Sequence, residues 1–242
     1  MKRLLIVLLI ALPIFGAKIE KQTLTSRGET RTYYLFVPDG IDAAKPVPLI
    51  ITLHGSGRNG LTLVDKWMPL AQKEKIILAG PDSTVWKQWG APEDGPVLLH
   101  DLVESLKAKY PIDERRVYLF GHSGGAIFAL EMGLIESEYF AAIAIHAGAL
   151  PEENASIMDH AKRMIPVAII SGTDDPFFPM KYVRNTRDEL QKHGFIAELT
   201  EIPHHTHDYY TTAGATNKIA WDFLKKYAIE DEPHFIDYAN MR

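Results

Sequence analysis

The sequence predicts an α/β protein built on a mostly parallel sheet, and three observations carry that prediction. Short apolar runs recur along the chain, and several lack the alternation of a half-exposed strand, as is typical of strands covered on both faces. Helical patterns separate these runs, which favours alternating strands and helices. One run leads into Gly121-His122-Ser123-Gly124-Gly125, a glycine-rich corner between a predicted strand and a predicted helix.

The predicted elements alternate along the chain. Strands are predicted at residues 33–37, 49–53, 76–79, 117–120, 141–145, 167–170 and 196–202. Helices are predicted at residues 99–110, 126–135, 182–192 and 217–227, with 126–135 apolar nearly all round, as a helix buried against the sheet would be. The polar stretch 151–164 lies between two strands and is interpreted as at most a small cap.

The composition fits one globular domain, which we expect to span residues 18–242. Apolar residues make up 46% and charged residues 24% of the 242 residues, which is enough for a full core. The net charge is −5 and no basic block is present, so nucleic-acid binding has no electrostatic support. The chain has no cysteine, which leaves no disulfide and no site for a lipoprotein anchor.

The first 17 residues predict a signal peptide. Met1-Lys2-Arg3 is basic, residues 4–12 are almost entirely apolar, and small residues follow at Gly16-Ala17. The apolar run is shorter than the roughly 20 residues of a membrane-spanning helix. We therefore expect an exported protein, periplasmic or secreted, without stable membrane association after cleavage. An uncleaved N-terminal anchor is the alternative.

Ser123 stands where a nucleophile is expected. The pattern Gly-x-Ser-x-Gly follows a predicted buried strand and opens a predicted buried helix, which is the setting of a nucleophile elbow. Glycines remove the Cβ atoms that would clash at so tight a turn. A plain tight turn is the structural alternative.

A serine nucleophile needs a base and an acid that orients the base. The strand at 167–170 is followed by Asp174 and Asp175, and either could be that acid. The strand at 196–202 is followed by His204, His205 and His207, which compete for the role of base. A metal site at His205, His207 and Asp208, or a merely polar loop, are the alternatives.

Oxyanion donors are expected after an earlier strand. The strand at 49–53 runs into His54-Gly55-Ser56-Gly57. The backbone N–H of Ser56 is predicted to join that of Gly124 in facing a tetrahedral intermediate. His54 is interpreted as bracing this loop.

The ordered motifs H-G-S-G, G-H-S-G-G, G-T-D-D-P-F-F-P and H-D-Y-Y resemble those of the α/β-hydrolase superfamily, over residues 32–227. Within it the chain resembles the esterase branch of polyhydroxybutyrate depolymerases, feruloyl and acetylxylan esterases and S-formylglutathione hydrolase-like esterases. The resemblance implies Ser123 as nucleophile and Asp175 as acid. It implies His207 as base on one branch pattern and His205 on another, and we predict His207.

The resemblance and the motifs together predict a serine esterase that forms an acyl-enzyme and needs no cofactor. Candidate substrates are small or polymeric esters, including feruloyl, acetyl-sugar and hydroxyalkanoate esters. Five residues are predicted to contact the substrate: Trp86, Trp89, His122, Phe177 and Tyr209. A prolyl-oligopeptidase-type peptidase, a thioesterase and a non-catalytic exported binding protein are the alternatives.

Overall fold

The structure, a computed structural model, describes residues 18–85, 88–236 and 238. The predicted signal peptide and Trp86 lie outside these residues. In the described part, the chain forms one eight-stranded sheet with helices on both faces. The predicted α/β class with a mostly parallel sheet is therefore confirmed.

The sheet has the strand order β1-β2-β4-β3-β5-β6-β7-β8. The strands are β1 (Ile19–Ser26), β2 (Glu29–Phe36), β3 (Val47–Leu53), β4 (Ile77–Pro81), β5 (Ile112–His122), β6 (Ala142–His146), β7 (Val167–Gly172) and β8 (Ala197–Ile202). β1 and β2 form an antiparallel hairpin, β2 pairs antiparallel with β4, and all other neighbours are parallel. The seven predicted strands correspond to β2–β8. The sequence does not predict β1, because this edge strand alternates polar, exposed residues with half-buried ones and so has no apolar run.

Helices cover both faces of the sheet. They are α1 (Leu61–Glu74), α2 (Pro96–Lys107), α3 (Gly124–Ile135), α4 (Ile157–His160), α5 (Met180–Lys192) and α6 (Ala213–Leu224). Leu49 and Ile51 of β3 point into the apolar layer shared with α2, α3 and α5, whereas Ile50 points into the layer shared with α1 and α6. Successive side chains of a strand point to opposite faces of the sheet, so each buried strand contributes to both apolar layers. The sequence does not predict α1, whose interior contains Pro69, a residue that normally disfavours helix.

The parallel pairing determines where the functional loops meet. Because β3, β5, β6, β7 and β8 run the same way, the loops that follow them gather at one edge of the sheet. The stretch 151–164 forms a single 3-10 turn (Glu152–Asn154) and α4, and its Met158 is buried in the core layer beside α3. None of the helices in the described part of the chain has both the length and the apolar character that a membrane span needs.

Candidate active site

Ser123 occupies a strained corner between β5 and α3. Its backbone lies at φ 57° and ψ −122°, a conformation that non-glycine residues rarely adopt. The corner is as tight as the glycine pattern predicts: a Cβ on Gly121 would lie 2.1 Å from the carbonyl oxygen of Gly125. A Cβ on Gly125 would lie 2.0 Å from the carbonyl oxygen of Leu53 in β3. The serine is therefore held in a high-energy conformation by close backbone packing on both sides.

Three distant side chains meet at this corner. The Oγ atom of Ser123 lies 2.9 Å from Nε2 of His207, and Nδ1 of His207 lies 2.8 Å from Oδ2 of Asp175. Because a carboxylate only accepts hydrogen bonds, Nδ1 carries the proton and Nε2 is free to accept from the serine hydroxyl. This is the arrangement in which an imidazole can take a proton from a serine.

The structure distinguishes the two candidate aspartates. The side chain of Asp175 is fully buried, and its Oδ1 accepts the backbone N–H groups of Phe177 at 2.8 Å and Phe178 at 3.1 Å. The side chain of Asp174 is half exposed and lies 3.5 Å from the ring of His204. Of the two aspartates, only Asp175 contacts His207. Its Oδ2 faces the imidazole, while its Oδ1 accepts the two backbone N–H groups.

The structure also places the three candidate histidines in different surroundings. His205 turns away from Ser123: its Nε2 lies 3.2 Å from Nε2 of His146, whose Nδ1 lies 3.1 Å from Nδ1 of His122. The three imidazoles His122, His146 and His205 therefore form a chain below His207, which we call the histidine chain. His204 is exposed at the loop surface.

Burial keeps His122 and His146, two members of the histidine chain, neutral. Desolvation, reinforced by the nearby imidazole of His207, lowers the pKa of His122 to about 3. Desolvation, reinforced by His122, lowers the pKa of His146 to about 2. Each neutral ring has one donor and one acceptor, so both bonds of the chain can be satisfied at neutral pH. The chain ties the loop that carries His207 to the ends of β5 and β6.

The predicted oxyanion donors lie side by side. A Cβ built on Gly124 would lie 2.7 Å from Oγ and 3.7 Å from the backbone nitrogen of Ser56. Gly124 is the first residue of α3, so its N–H has no acceptor within the helix, and the helix N-terminus adds positive potential. His54 braces the loop from behind: Nδ1 donates to the carbonyl of Gly55, and Nε2 accepts from the N–H of Ser83.

Trp89 supports this loop, and its contact with substrate stays a prediction. Its indole N–H donates to the carbonyl of His54 at 2.8 Å. Its ring stacks on Phe128 of α3 with the ring centroids 4.9 Å apart, and it lies outside the cavity wall. The carbonyl of His54 and the ring of Phe128 therefore hold the indole in place.

A cavity of about 520 Å³ opens above Ser123. Of the predicted substrate contacts, His122 and Phe177 line it. Tyr209 does not, and that prediction is wrong: its ring is fully buried and its hydroxyl donates to Oδ1 of Asn217. The adjacent Tyr210 lines the cavity instead. Trp86 lies outside the described residues.

Arg58 is a cavity residue that the sequence did not predict. It follows the H-G-S-G loop, and its guanidinium lies 4.8 Å above the ring of Tyr210. Its position directly after the predicted oxyanion loop is the one signal that pointed to it. Within the described residues no group of three or more His, Asp or Glu is arranged to hold a metal ion, and both ring nitrogens of His207 already face protein partners.

The protein has the fold of an α/β-hydrolase enzyme, and Ser123, His207 and Asp175 meet at the carboxyl ends of its strands. The model of the phospholipase/carboxylesterase family matches residues 96–221, more than half of the chain. The chain belongs to this family. The resemblance to the α/β-hydrolase superfamily and its esterases that the motifs predict is thereby confirmed.

Two relatives show how far the similarity of sequence extends. The chain is 25% identical over 174 residues to the bifunctional acetylxylan esterase/xylanase of Neocallimastix patriciarum, covering 68% of this chain and 25% of that protein. It is 25% identical over 214 residues to poly(3-hydroxyalkanoate) depolymerase C of Paucimonas lemoignei, covering 83% of this chain and 50% of that protein. The chain thus spans between a quarter and half of the length of these two relatives.

Solved structures share the fold. S-formylglutathione hydrolase of Staphylococcus aureus superposes with a TM-score of 0.71 at 12% identity, covering 87% of this chain and all of that one. A ferulic acid esterase of Anaeromyces mucronatus superposes with a TM-score of 0.69 at 17% identity, covering 88% and 92% of the two chains. At such low identity these likenesses establish the fold alone.

Proposed function

We propose that the protein is a serine carboxylic-ester hydrolase that works through an acyl-enzyme. One observation carries the proposal: Ser123, His207 and Asp175, from three separate loops, are joined by hydrogen bonds of 2.9 and 2.8 Å beside an open cavity. Membership of the phospholipase/carboxylesterase family supports it.

The geometry supports the following sequence of steps. His207 accepts the proton of Ser123 as the serine oxygen attacks the ester carbonyl, and Asp175 stabilises the imidazolium that forms. The N–H groups of Ser56 and Gly124 donate to the oxyanion. His207 then gives its proton to the leaving alcohol, which leaves an acyl-serine. Water attacks the acyl-serine with His207 again as base, and the carboxylic acid is released.

The candidate substrates are feruloyl, acetyl-sugar and hydroxyalkanoate esters, small or polymeric. The relatives named as acetylxylan esterase and poly(3-hydroxyalkanoate) depolymerase support this range. Phe177 and Tyr210 supply aromatic surface at the cavity. The reaction we propose uses only protein groups and water.

Substitution of the serine tests the proposal. We expect Ser123→Ala to lose at least about 10³-fold in kcat on p-nitrophenyl butyrate and to lose labelling by a fluorophosphonate probe. Ser105→Ala, in α2 and away from the site, serves as the control and should retain both. Hydrolysis by pure Ser123→Ala at the wild-type rate would overturn the proposal.

We also propose that the chain is exported. The basic, apolar and small-residue order of residues 1–17 supports this. Expression of the full chain in a bacterium and N-terminal sequencing of the periplasmic fraction tests it. Full-length protein confined to the cytoplasm would contradict it.

A further inference from the structure

A second cavity lies beside the catalytic one. It measures about 490 Å³ and is bounded by the start of α3, the loop after β6, the loop after β7 and the first turns of α5. Phe177 lines both cavities. One aromatic side chain therefore forms the border between Ser123 and a second space of nearly the same volume.

The second cavity has an apolar floor. Ala149 is buried, and Ile127, Leu150 and Phe178 are half-buried in its lining. Tyr182 lies at the rim with 51% of its surface exposed, and Phe177 is 71% exposed. Two large aromatic side chains are therefore exposed at one cavity and supply apolar surface that a ligand would bury.

Hydrogen bonds hold the walls of this cavity in place. The N–H of Leu150 donates to the hydroxyl of Thr186 in α5 at 3.0 Å, and the amide of Asn154 donates to Glu131 in α3 at 2.5 Å. The backbone at Phe177 and Phe178 is fixed by Asp175. The cavity is preformed, so a ligand would not have to order its walls.

The charges at the rim disfavour an anionic ligand. Glu152 and Glu153 line the cavity together with Lys181, which gives a net charge of −1 in the lining. An anionic group would be repelled by the two carboxylates. A neutral ring matches the apolar floor and the aromatic rim at Phe177 and Tyr182 and, unlike an anion, is not repelled by the carboxylates.

We propose that the second cavity is a distal subsite for a neutral, ring-bearing end of an extended ester whose carbonyl lies at Ser123. This inference rests on the proposed esterase function and adds the size and shape of its substrate. Phe177 stands between the two cavities, so the extended ester passes over its ring. Tyr182 is a specificity-determining residue of this subsite.

Two series of esters test the subsite and locate the ring. In the acyl series, p-nitrophenyl acetate is compared with p-nitrophenyl 4-phenylbutyrate; in the alcohol series, ethyl acetate is compared with 4-phenylbutyl acetate. We expect the ring-bearing ester to have at least tenfold the kcat/KM of the short ester in one series. That series identifies the side of the ester that occupies the subsite.

Substitution of the rim residue completes the test. Tyr182→Ala should reduce the long-to-short ratio about tenfold, mainly through KM. Ile196→Ala removes an equally exposed apolar side chain just before β8 and should leave the ratio unchanged. Unfolding midpoints of both variants verify that each is folded.

Three outcomes are decisive. A wild-type enzyme that hydrolyses short esters without any gain from the ring overturns the subsite and leaves the esterase proposal intact. A long-to-short ratio that survives Tyr182→Ala also overturns it. A pure enzyme that hydrolyses no ester of either series refutes the esterase proposal and the subsite with it.

Discussion

The two halves of β5 differ in their exposure to water. The amino-terminal half, residues 112–116, is exposed or half-exposed, and its Arg116 pairs with Asp113 at 2.6 Å where water reaches both side chains. The carboxyl-terminal half, residues 117–122, is buried throughout and ends at the strained Ser123. One strand thus joins a solvated, ion-paired end to a dry end that carries the candidate chemistry.

The difference shows where polar groups matter. At the solvated end, a charge that loses its partner is hydrated by water, so each ion pair contributes little to stability. At the dry end, a buried polar group that loses its partner cannot be hydrated by water, so the loss is costly. Substitutions should therefore have large effects at the carboxyl ends of the strands and small effects at the amino ends.

The largest effect is expected from Asp175→Asn, with a loss of about 10⁴-fold in kcat. Two backbone N–H groups point at Oδ1 of Asp175, so the asparagine must keep its oxygen there and turn its NH₂ toward His207. The ring then holds its proton on Nε2 and cannot accept from Ser123. Steady-state kinetics on a p-nitrophenyl ester measure this, and an equal loss in Asp174→Asn would contradict it.

Gly121→Ala should be next, lowering the free energy of unfolding by about 3 kcal/mol or more. The new Cβ would lie 2.1 Å from a backbone oxygen in the first turn of α3, where nothing flexible can yield. Urea unfolding measures the loss. Gly214→Ala in α6, where a Cβ meets nothing within 4 Å, is the matched control and should lose no stability.

The histidine chain should make the protein sensitive to mild acid. His122 and His146 stay neutral in the folded protein down to about pH 3 and 2, whereas in the unfolded chain they take up protons below about pH 6.5. The unfolded state therefore binds more protons between these values, and stability falls as the pH falls. We expect a loss of up to about 2 kcal/mol for each histidine between pH 7 and pH 5.

Urea unfolding at the two pH values measures this loss. His146→Gln removes one of the two groups and should show a shallower fall than the wild type. An unfolding free energy that is the same at pH 7 and pH 5 would contradict the assignment of neutral, buried imidazoles.

The smallest effect is expected at the solvated end of β5. Asp113→Asn removes the ion pair with Arg116 but keeps an oxygen that can accept the N–H of Arg115. We expect a loss below about 1 kcal/mol, smaller still at high salt, with unchanged ester hydrolysis. A loss as large as that of Gly121→Ala would remove the distinction between the two halves of the strand.

The sequence by itself determined the sheet, the corner and the order of the candidate groups. Buried strands appear as apolar runs and the half-exposed β8 as an alternating one, so β2–β8 can be predicted from the sequence. The glycines around Ser123 indicate a turn that only glycine fits. The sequence did not predict the edge strand β1 or the proline-containing helix α1. β1 has no apolar run, and Pro69 obscures the helical spacing of the buried residues of α1.

The resemblance selected Asp175 and His207, but only the tertiary structure supplies the physical reason for each choice between neighbouring residues of the same kind. Asp174 and Asp175 differ in which carboxylate is buried under two N–H donors, and Tyr209 and Tyr210 differ in which ring faces the core. His205 and His207 differ in whether the imidazole meets another buried histidine or the serine. Local sequence specifies a loop's chemistry, but the direction of each side chain depends on partners far along the chain, and only the packed fold brings those partners together.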